Sequence, residues 1–219
     1  MASLFDIREK LVSVGNQLYE RGLIAGTDGN ISVRLDDNRI LITPSGLPKS
    51  SLNLDGLTII DQDGKHLQGP HSASSEYMMH TFVYRNRPDI KACVHSHPPY
   101  VTAFAVAGVQ LAENILPEVV ISIGNIPLTD YAPPGTDAVP KSLEPFIKDS
   151  NAFILRNHGL LTVGQSLDEA YHRNEVVEHY ARILHLARQL GSLDNIPSDD
   201  LHRLEKIRQK LDNSRNEDG

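Results

Sequence analysis

Two proline barriers enclose the run Lys91-Ala92-Cys93-Val94-His95-Ser96-His97, with Pro88 before it and Pro98-Pro99 after it. Proline lacks a backbone N–H and disfavours continuation of regular structure, so the run reads as one short strand that stops abruptly. Side chains two apart share a strand face, so His95 and His97 project together from its end. Two imidazoles that close can reach a single ion. Nitrogen donors suit zinc first and leave other divalent transition metals open. The plainer alternative is that both rings are polar residues at a strand end, bonded to backbone or water.

Short β-branched runs alternate with amphipathic stretches along the rest of the chain. Leu4, Ile7, Leu11, Val14 and Leu18 recur at helical spacing, with Gly22 placed to end that helix. Ile31–Leu35 and Arg39–Thr43 read as a hairpin across Asp36-Asp37-Asn38, and Leu57–Ile60 as a further strand. Ser74-Ser75-Glu76 opens a helical segment that closes before Pro88, with a serine N-cap and a carboxylate in its first turn. Tyr100–Ala107 reads as a short helix, Val119–Ile123 and Ile126–Leu128 as buried strands, and Thr136–Ile147 as a helix interrupted near Pro140. Ala152–Arg156 is another strand, running into Asn157-His158-Gly159. Ser166 caps a long helix lasting to Gly191, and a charged helical extension follows from about residue 192. Without a repeat or linker, residues 1–219 read as one α/β domain, helices packing around a mainly antiparallel or mixed sheet.

Composition excludes several classes. A formal charge of -7 and an aromatic content of 5% disfavour nucleic acid, which attracts clustered cations and stacking rings. No apolar run is long enough to span a bilayer, and the N-terminus carries no secretory pattern. The single cysteine, Cys93, cannot form an intrachain disulfide and fits a reducing compartment, so a cytoplasmic protein is expected.

The remaining histidines divide by context. His172, His179, His185 and His202 fall in charged helices, and His66 and His71 in turn-rich sequence. His80 lies four residues after Glu76 on the same helical face, either partnering that carboxylate or packing. His158 ends an apolar strand and precedes Gly159, which permits a tight turn. If that strand neighbours the His95 strand, three imidazoles converge and leave a coordination position open, as at a catalytic zinc. Glu76 then offers a fourth group that can bind the ion at rest or act as a base; the alternative is a carboxylate complementing a helix dipole. Gly26–Asn30, Thr43–Gly46 and Ser74-Ser75 supply backbone N–H groups and hydroxyls suited to phosphate oxygens, or are simply turns.

Gly26-Thr27-Asp28-Gly29-Asn30-Ile31-Ser32, Thr43-Pro44-Ser45-Gly46, Ser74-Ser75-Glu76 with His80, Val94-His95-Ser96-His97, Tyr131 through Gly135-Thr136, and Asn157-His158-Gly159-Leu160 occur in this order. In these motifs the chain resembles the class II aldolase/adducin family, most closely its L-fuculose-1-phosphate aldolase type. The resemblance implies a three-layer αβα fold with a central antiparallel sheet, zinc (Zn2+) on His95, His97 and His158, and Glu76 as acid/base and resting ligand. It also implies a phosphate site of Gly29, Asn30, Ser45, Gly46, Ser74 and Ser75, and a homotetramer with sites at subunit interfaces. The implied reaction is aldol cleavage or formation on a short ketose 1-phosphate through an enediolate of dihydroxyacetone phosphate. The family's tyrosine from a neighbouring subunit is missing from Leu116–Val120, where Glu118 is the candidate acid. Asp28 replaces a small residue. Epimerase, dehydratase and decarboxylase relatives share the scaffold, and the adducin branch uses it without catalysis.

Overall fold

The computed structural model describes residues 3–111 and 114–217. Helix α1 (Leu4–Glu20) starts at Ser3, whose hydroxyl accepts from the Asp6 N–H while the Asp6 carboxylate accepts from the Ser3 N–H, a reciprocal pairing that satisfies two otherwise unpartnered donors. Strands β1 (Asn30–Arg34), β2 (Ile40–Ile42), β3 (Thr58–Ile60) and β4 (His66–Gln68) follow, with a 3₁₀ turn at Lys49–Ser51 between β2 and β3. Next come α2 (Tyr77–Asn86), β5 (Ala92–Ser96), α3 (Pro99–Ala107), α4 (Pro117–Ser122) and α5 (Ala138–Leu143). The chain ends with β6 (Ala152–Leu155), β7 (Gly159–Gly164), α6 (Leu167–Leu190) and α7 (Ser198–Glu217).

The strands form one seven-stranded sheet in the order β4-β3-β2-β1-β5-β7-β6, antiparallel at every neighbouring pair. Strand alternation sorts its side chains into two cores. Ile31, Val33, Leu41, Ile59, Ala92 and Val94 pack against Leu11, Val14 and Leu18 of α1 and Ala170 and Tyr171 of α6. Ile40, Ile42, Ile60, Cys93, Leu161 and Val163 meet Met79, Val83 and Tyr84 of α2 and Val139 and Leu143 of α5 on the opposite face. The expected layers of helix, antiparallel sheet and helix are therefore present. His95 shares parity with Cys93, which puts it on the α2 side. Helix α7 packs against α4, and no helix among the described residues is long and apolar enough to cross a membrane.

Four expectations are corrected. The apolar run Val119–Ile123 lies in helix α4 and the turn after it, not in a strand. Pro117 sits in the first turn, where a missing N–H costs nothing, and the Val119 and Val120 amides donate back to Leu116 O; so short an apolar run does not itself choose between helix and strand. Of Ile126–Leu128, only Leu128 makes a bridge, a parallel one to Ile154. The helix expected over 136–147 is confined to Ala138–Leu143, after which Phe146 and Ile147 turn back on Leu143 O. The strand of Ala152–Leu155 does not neighbour β5: β7 lies between them and takes that place.

Candidate active site

The β5–β7 ladder brings the imidazoles together. Ser96 pairs with Leu160 and His95 with Leu161, so the end of β5 meets the start of β7. His158 occupies the turn before β7, its N–H donating to Leu155 O at 3.0 Å while Asn157 adopts φ 56°. The turn can press against β5 because residue 159 is glycine: a Cβ there would lie 2.4 Å from Ser96 O and 2.7 Å from His97 Cδ2. His158 therefore arrives from a hairpin turn beside β5, as the convergence required, but not on a strand adjacent to it.

The ring centroids of His95, His97 and His158 are 4.9, 4.7 and 4.9 Å apart pairwise, with interplanar angles of 69°, 71° and 68°. That is close to threefold symmetry, with all three candidate ligand atoms within 4.8 Å of one another. His95 Nδ1 donates to Leu160 O at 2.9 Å, which leaves the Nε2 lone pair facing inward. His97 Nδ1 lies 3.4 Å from Asp28 Oδ2, orienting that ring in the same sense. Asp28, which replaces a small residue in the first candidate phosphate loop, thus turns toward a histidine.

The His95 and His97 Nε2 atoms are 3.1 Å apart. Two lone pairs face each other at that distance, close to the ~3.3 Å spanned by two nitrogens on a tetrahedral zinc. A cation between them removes the repulsion, so the donor set fits a divalent metal. Burial, then repulsion from His95, lowers His97 to about 4, and the same causes lower His158 to about 4. Both rings are therefore neutral near pH 7, the form that can ligate a metal.

Glu76 completes the group. It occupies the N-cap of α2 in place of the expected serine, and Ser74 accepts the Glu76 N–H through Oγ at 3.3 Å. Oε2 lies 3.3 Å from His95 Nε2 and accepts from Asn30 Nδ2 at 2.9 Å. Oε1 lies 3.3 Å from His158 Nε2 and has no hydrogen-bond partner. Burial alone would raise this carboxyl; His95, then His158 and the Asn30 amide, outweigh it and hold the group below the ordinary carboxylate range. The carboxylate is anionic at neutral pH, with one oxygen anchored and one free.

The three candidate phosphate loops border this centre. Pro44 bridges to Ala73, Ser45 N–H donates to Ser72 O, and Ser74 N–H donates to Thr43 O, which joins the second and third loops. Ser45, Gly46 and Ser75 are exposed and Ser74 is buried. Gly29, at φ 71°, packs so tightly that a Cβ would lie 2.7 Å from His95 O. The Asn30 side chain is turned to Glu76 and His80, leaving one N–H for a ligand. Sequence reasoning missed Lys49, which is 2% exposed and donates to Thr27 O and Leu47 O at 2.6 and 3.2 Å, tying the first two loops. Burial lowers its ammonium to about 8 against the opposing pull of Asp28 and Glu76; no local pattern marks it. Glu118 is exposed in the first turn of α4 and is not among the groups gathered around the histidines.

Comparison with known proteins identifies the family of the chain. The model of the class II aldolase and adducin N-terminal domain matches residues 9–185. The chain is 36% identical over 181 residues to the L-fuculose phosphate aldolase of Methanococcus vannielii, covering 83% of this chain and 96% of that one. It is 34% identical over 180 residues to the 3-oxo-tetronate 4-phosphate decarboxylase of Haemophilus influenzae, covering 80% and 85%. A solved L-fuculose 1-phosphate aldolase superposes with TM-score 0.86 at 29% identity, covering 94% of this chain and 97% of that chain. YgbL of Escherichia coli, for which aldolase, epimerase and decarboxylase activities are all named as candidates, also gives TM-score 0.86, at 30% identity and 92% and 99% coverage.

Proposed function

The chain belongs to the class II aldolase and adducin family, and from that premise we propose that it is a zinc-dependent lyase that cleaves or forms a C–C bond in a short ketose 1-phosphate. The observation that carries this reading is the meeting of three inward-facing imidazoles with a carboxylate that has one unpartnered oxygen. In the proposal, His95, His97 and His158 hold the metal, with Glu76 as a further ligand at rest. When bound, the metal supplies Lewis-acid polarisation of the substrate carbonyl and neutralises the negative charge that develops there.

The chain's own residues handle the protons. In the direction of synthesis Glu76, anionic and facing the centre, takes a proton from the carbon beside the carbonyl; in cleavage the same carboxyl takes up a proton from solvent and delivers it to that carbon as the enediolate collapses. The Asn30 amide keeps the carboxylate aimed inward. The hydroxyls of the exposed Ser45 and Ser75 and the backbone at the exposed Gly46, with Gly29, Asn30 and Ser74 behind them, are proposed to surround the phosphate. A homotetramer is part of the proposal, supported by the exposed apolar side chains Val106 and Leu186 and tested by sedimentation; a cytoplasmic location rests on the single cysteine and is tested by cell fractionation.

Decarboxylation is the second reading, and a specific observation favours it. Aldol cleavage moves two protons: one leaves the substrate hydroxyl as the C–C bond breaks, and one reaches the carbon that keeps the electrons. Loss of carbon dioxide from a 3-oxo acid requires only the second, and from 3-oxo-tetronate 4-phosphate it leaves the same three-carbon ketose-phosphate enediolate. Glu76, relaying a proton from water, suffices for that step, whereas the hydroxyl step needs a base, and Leu116–Val120 offers only Glu118.

The test is to supply 3-oxo-tetronate 4-phosphate and a panel of ketose 1-phosphates to metal-loaded protein and identify the co-product. Dihydroxyacetone phosphate with an aldehyde supports the aldolase; the same triose phosphate with carbon dioxide assigns the decarboxylase. Release of neither from any substrate refutes both.

A further inference from the structure

Behind Glu76 and Asn30 runs a buried chain of polar groups to which the reaction above gives no role. Tyr84 Oη lies 2.7 Å from Ser32 Oγ, and Ser32 Oγ lies 2.7 Å from His80 Nδ1. His80 Nε2 meets Asn30 Oδ1, and Asn30 Nδ2 donates to Glu76 Oε2 at 2.9 Å. Asn30 is 3% exposed, and Ser32 and His80 are 0%. The register of the sheet holds the far end of the chain in place, because Asn30 is paired with His95 and Ser32 with Cys93.

The direction of every bond follows from its end point. A carboxylate only accepts, so Asn30 must present its NH₂ to Glu76 and its oxygen to His80. That oxygen requires an N–H on His80 Nε2. Burial, then His95, lowers His80 to about 3 despite the opposing pull of Glu76, so the ring is neutral and Nδ1 accepts. The Ser32 hydroxyl must then donate to Nδ1, and its oxygen accepts from Tyr84. All four donors point toward Glu76.

We propose that His80 is a positioning residue: through Asn30 it fixes Oε2 of Glu76 and so reserves Oε1, the oxygen without a hydrogen-bond partner, for the substrate proton. This rests on the lyase reading above only for the identity of the proton. The geometric part, a neutral His80 locked with hydrogen on Nε2 and aimed at Asn30, stands apart from which reaction is run. Neutral asparagine passes on orientation but no charge, so the carboxylate is held without being neutralised.

The first test is ¹⁵N NMR of the histidine rings in the intact, unsubstituted protein. The expected result is His80 with hydrogen on Nε2 and a bare, hydrogen-bonded Nδ1; hydrogen on Nδ1, alone or together with Nε2, overturns the proposal whether or not any lyase activity is found. The second test compares His80→Leu with His80→Gln, whose amide nitrogen can take the place of Nε2 and still donate to Asn30. His80→Leu is expected to lower kcat about 100-fold, with a much smaller rise in KM from the loosened Asn30 and metal content nearly unchanged, and His80→Gln to restore most of the loss. Equal loss in both variants, or a fall that tracks metal content or unfolding, overturns it. Failure of the unsubstituted protein to turn over any substrate would sink the lyase reading and leave the NMR result to decide this one.

Discussion

Adding one methyl group at Gly159 tests how the histidine cluster is assembled. A Cβ at this position would lie 2.4 Å from Ser96 O, where ordinary contact begins near 3.4 Å, so the β7 turn and β5 must separate by about 1.0 Å. Overpacking of this kind costs about 1–3 kcal/mol. For a chain of this size that is roughly 2–12 °C in Tm at about 2–4 °C per kcal/mol. The effect on the site is larger in proportion. His97 Cδ2 is the second clash, at 2.7 Å, and a metal site tolerates ligand displacements of only about 0.2 Å. Gly159→Ala is therefore expected to weaken zinc binding by about 10–100-fold, the range seen when the surroundings of a ligand are disturbed, read by competition titration against a chromophoric chelator. Gly22→Ala is the control. Its φ of 69° is strained for alanine but nothing lies within 4 Å, so it should cost about 1 kcal/mol and leave metal affinity unchanged. Zinc affinity in Gly159→Ala equal to that of the unsubstituted protein would refute the argument that this close approach assembles the cluster.

Three further outcomes are expected. Glu76→Gln keeps an oxygen to accept from Asn30 but loses the proton acceptor, so turnover should fall about 10²–10⁴-fold while metal analysis still finds ion on the three histidines; activity near that of the unsubstituted protein would remove Glu76 from its role. Stripping metal with a chelator should lower Tm, and added zinc should restore it in a concentration-dependent way; a Tm indifferent to zinc would count against the site. The metal-free protein should lose stability as pH falls from about 6.5 to about 4. His97 and His158 near 4 and His80 near 3 bind fewer protons folded than unfolded in that window, whereas Glu76, held low, loses its contribution only below the ordinary carboxylate pKa. Urea unfolding at pH 5 and pH 7 measures the difference, and equal stabilities would contradict it.

The chain's local chemistry determined a good deal by itself. Proline brackets and period-two geometry placed His95 and His97 on one face of a strand end, and helical spacing placed His80 beneath Glu76. Serine and glycine punctuation located α1 and α6 because their apolar stripes are long enough to leave one period. Only the tertiary structure decided which strand would lie beside β5. Pairing is a long-range choice that no local pattern records, and it put the β6–β7 turn, with His158 and the methyl-free Gly159, against Ser96. Asp28 and Lys49 acquire partners only when the loops close over one another. Val119–Ile123 is too short for its period to be read, so Pro117 and the backbone bonds to Leu116 settled it as the helix that begins at Pro117. Sequence supplies donors whose nearest neighbours along the chain hold them in a known direction; distance between groups far apart in sequence is set by the packing of the sheet.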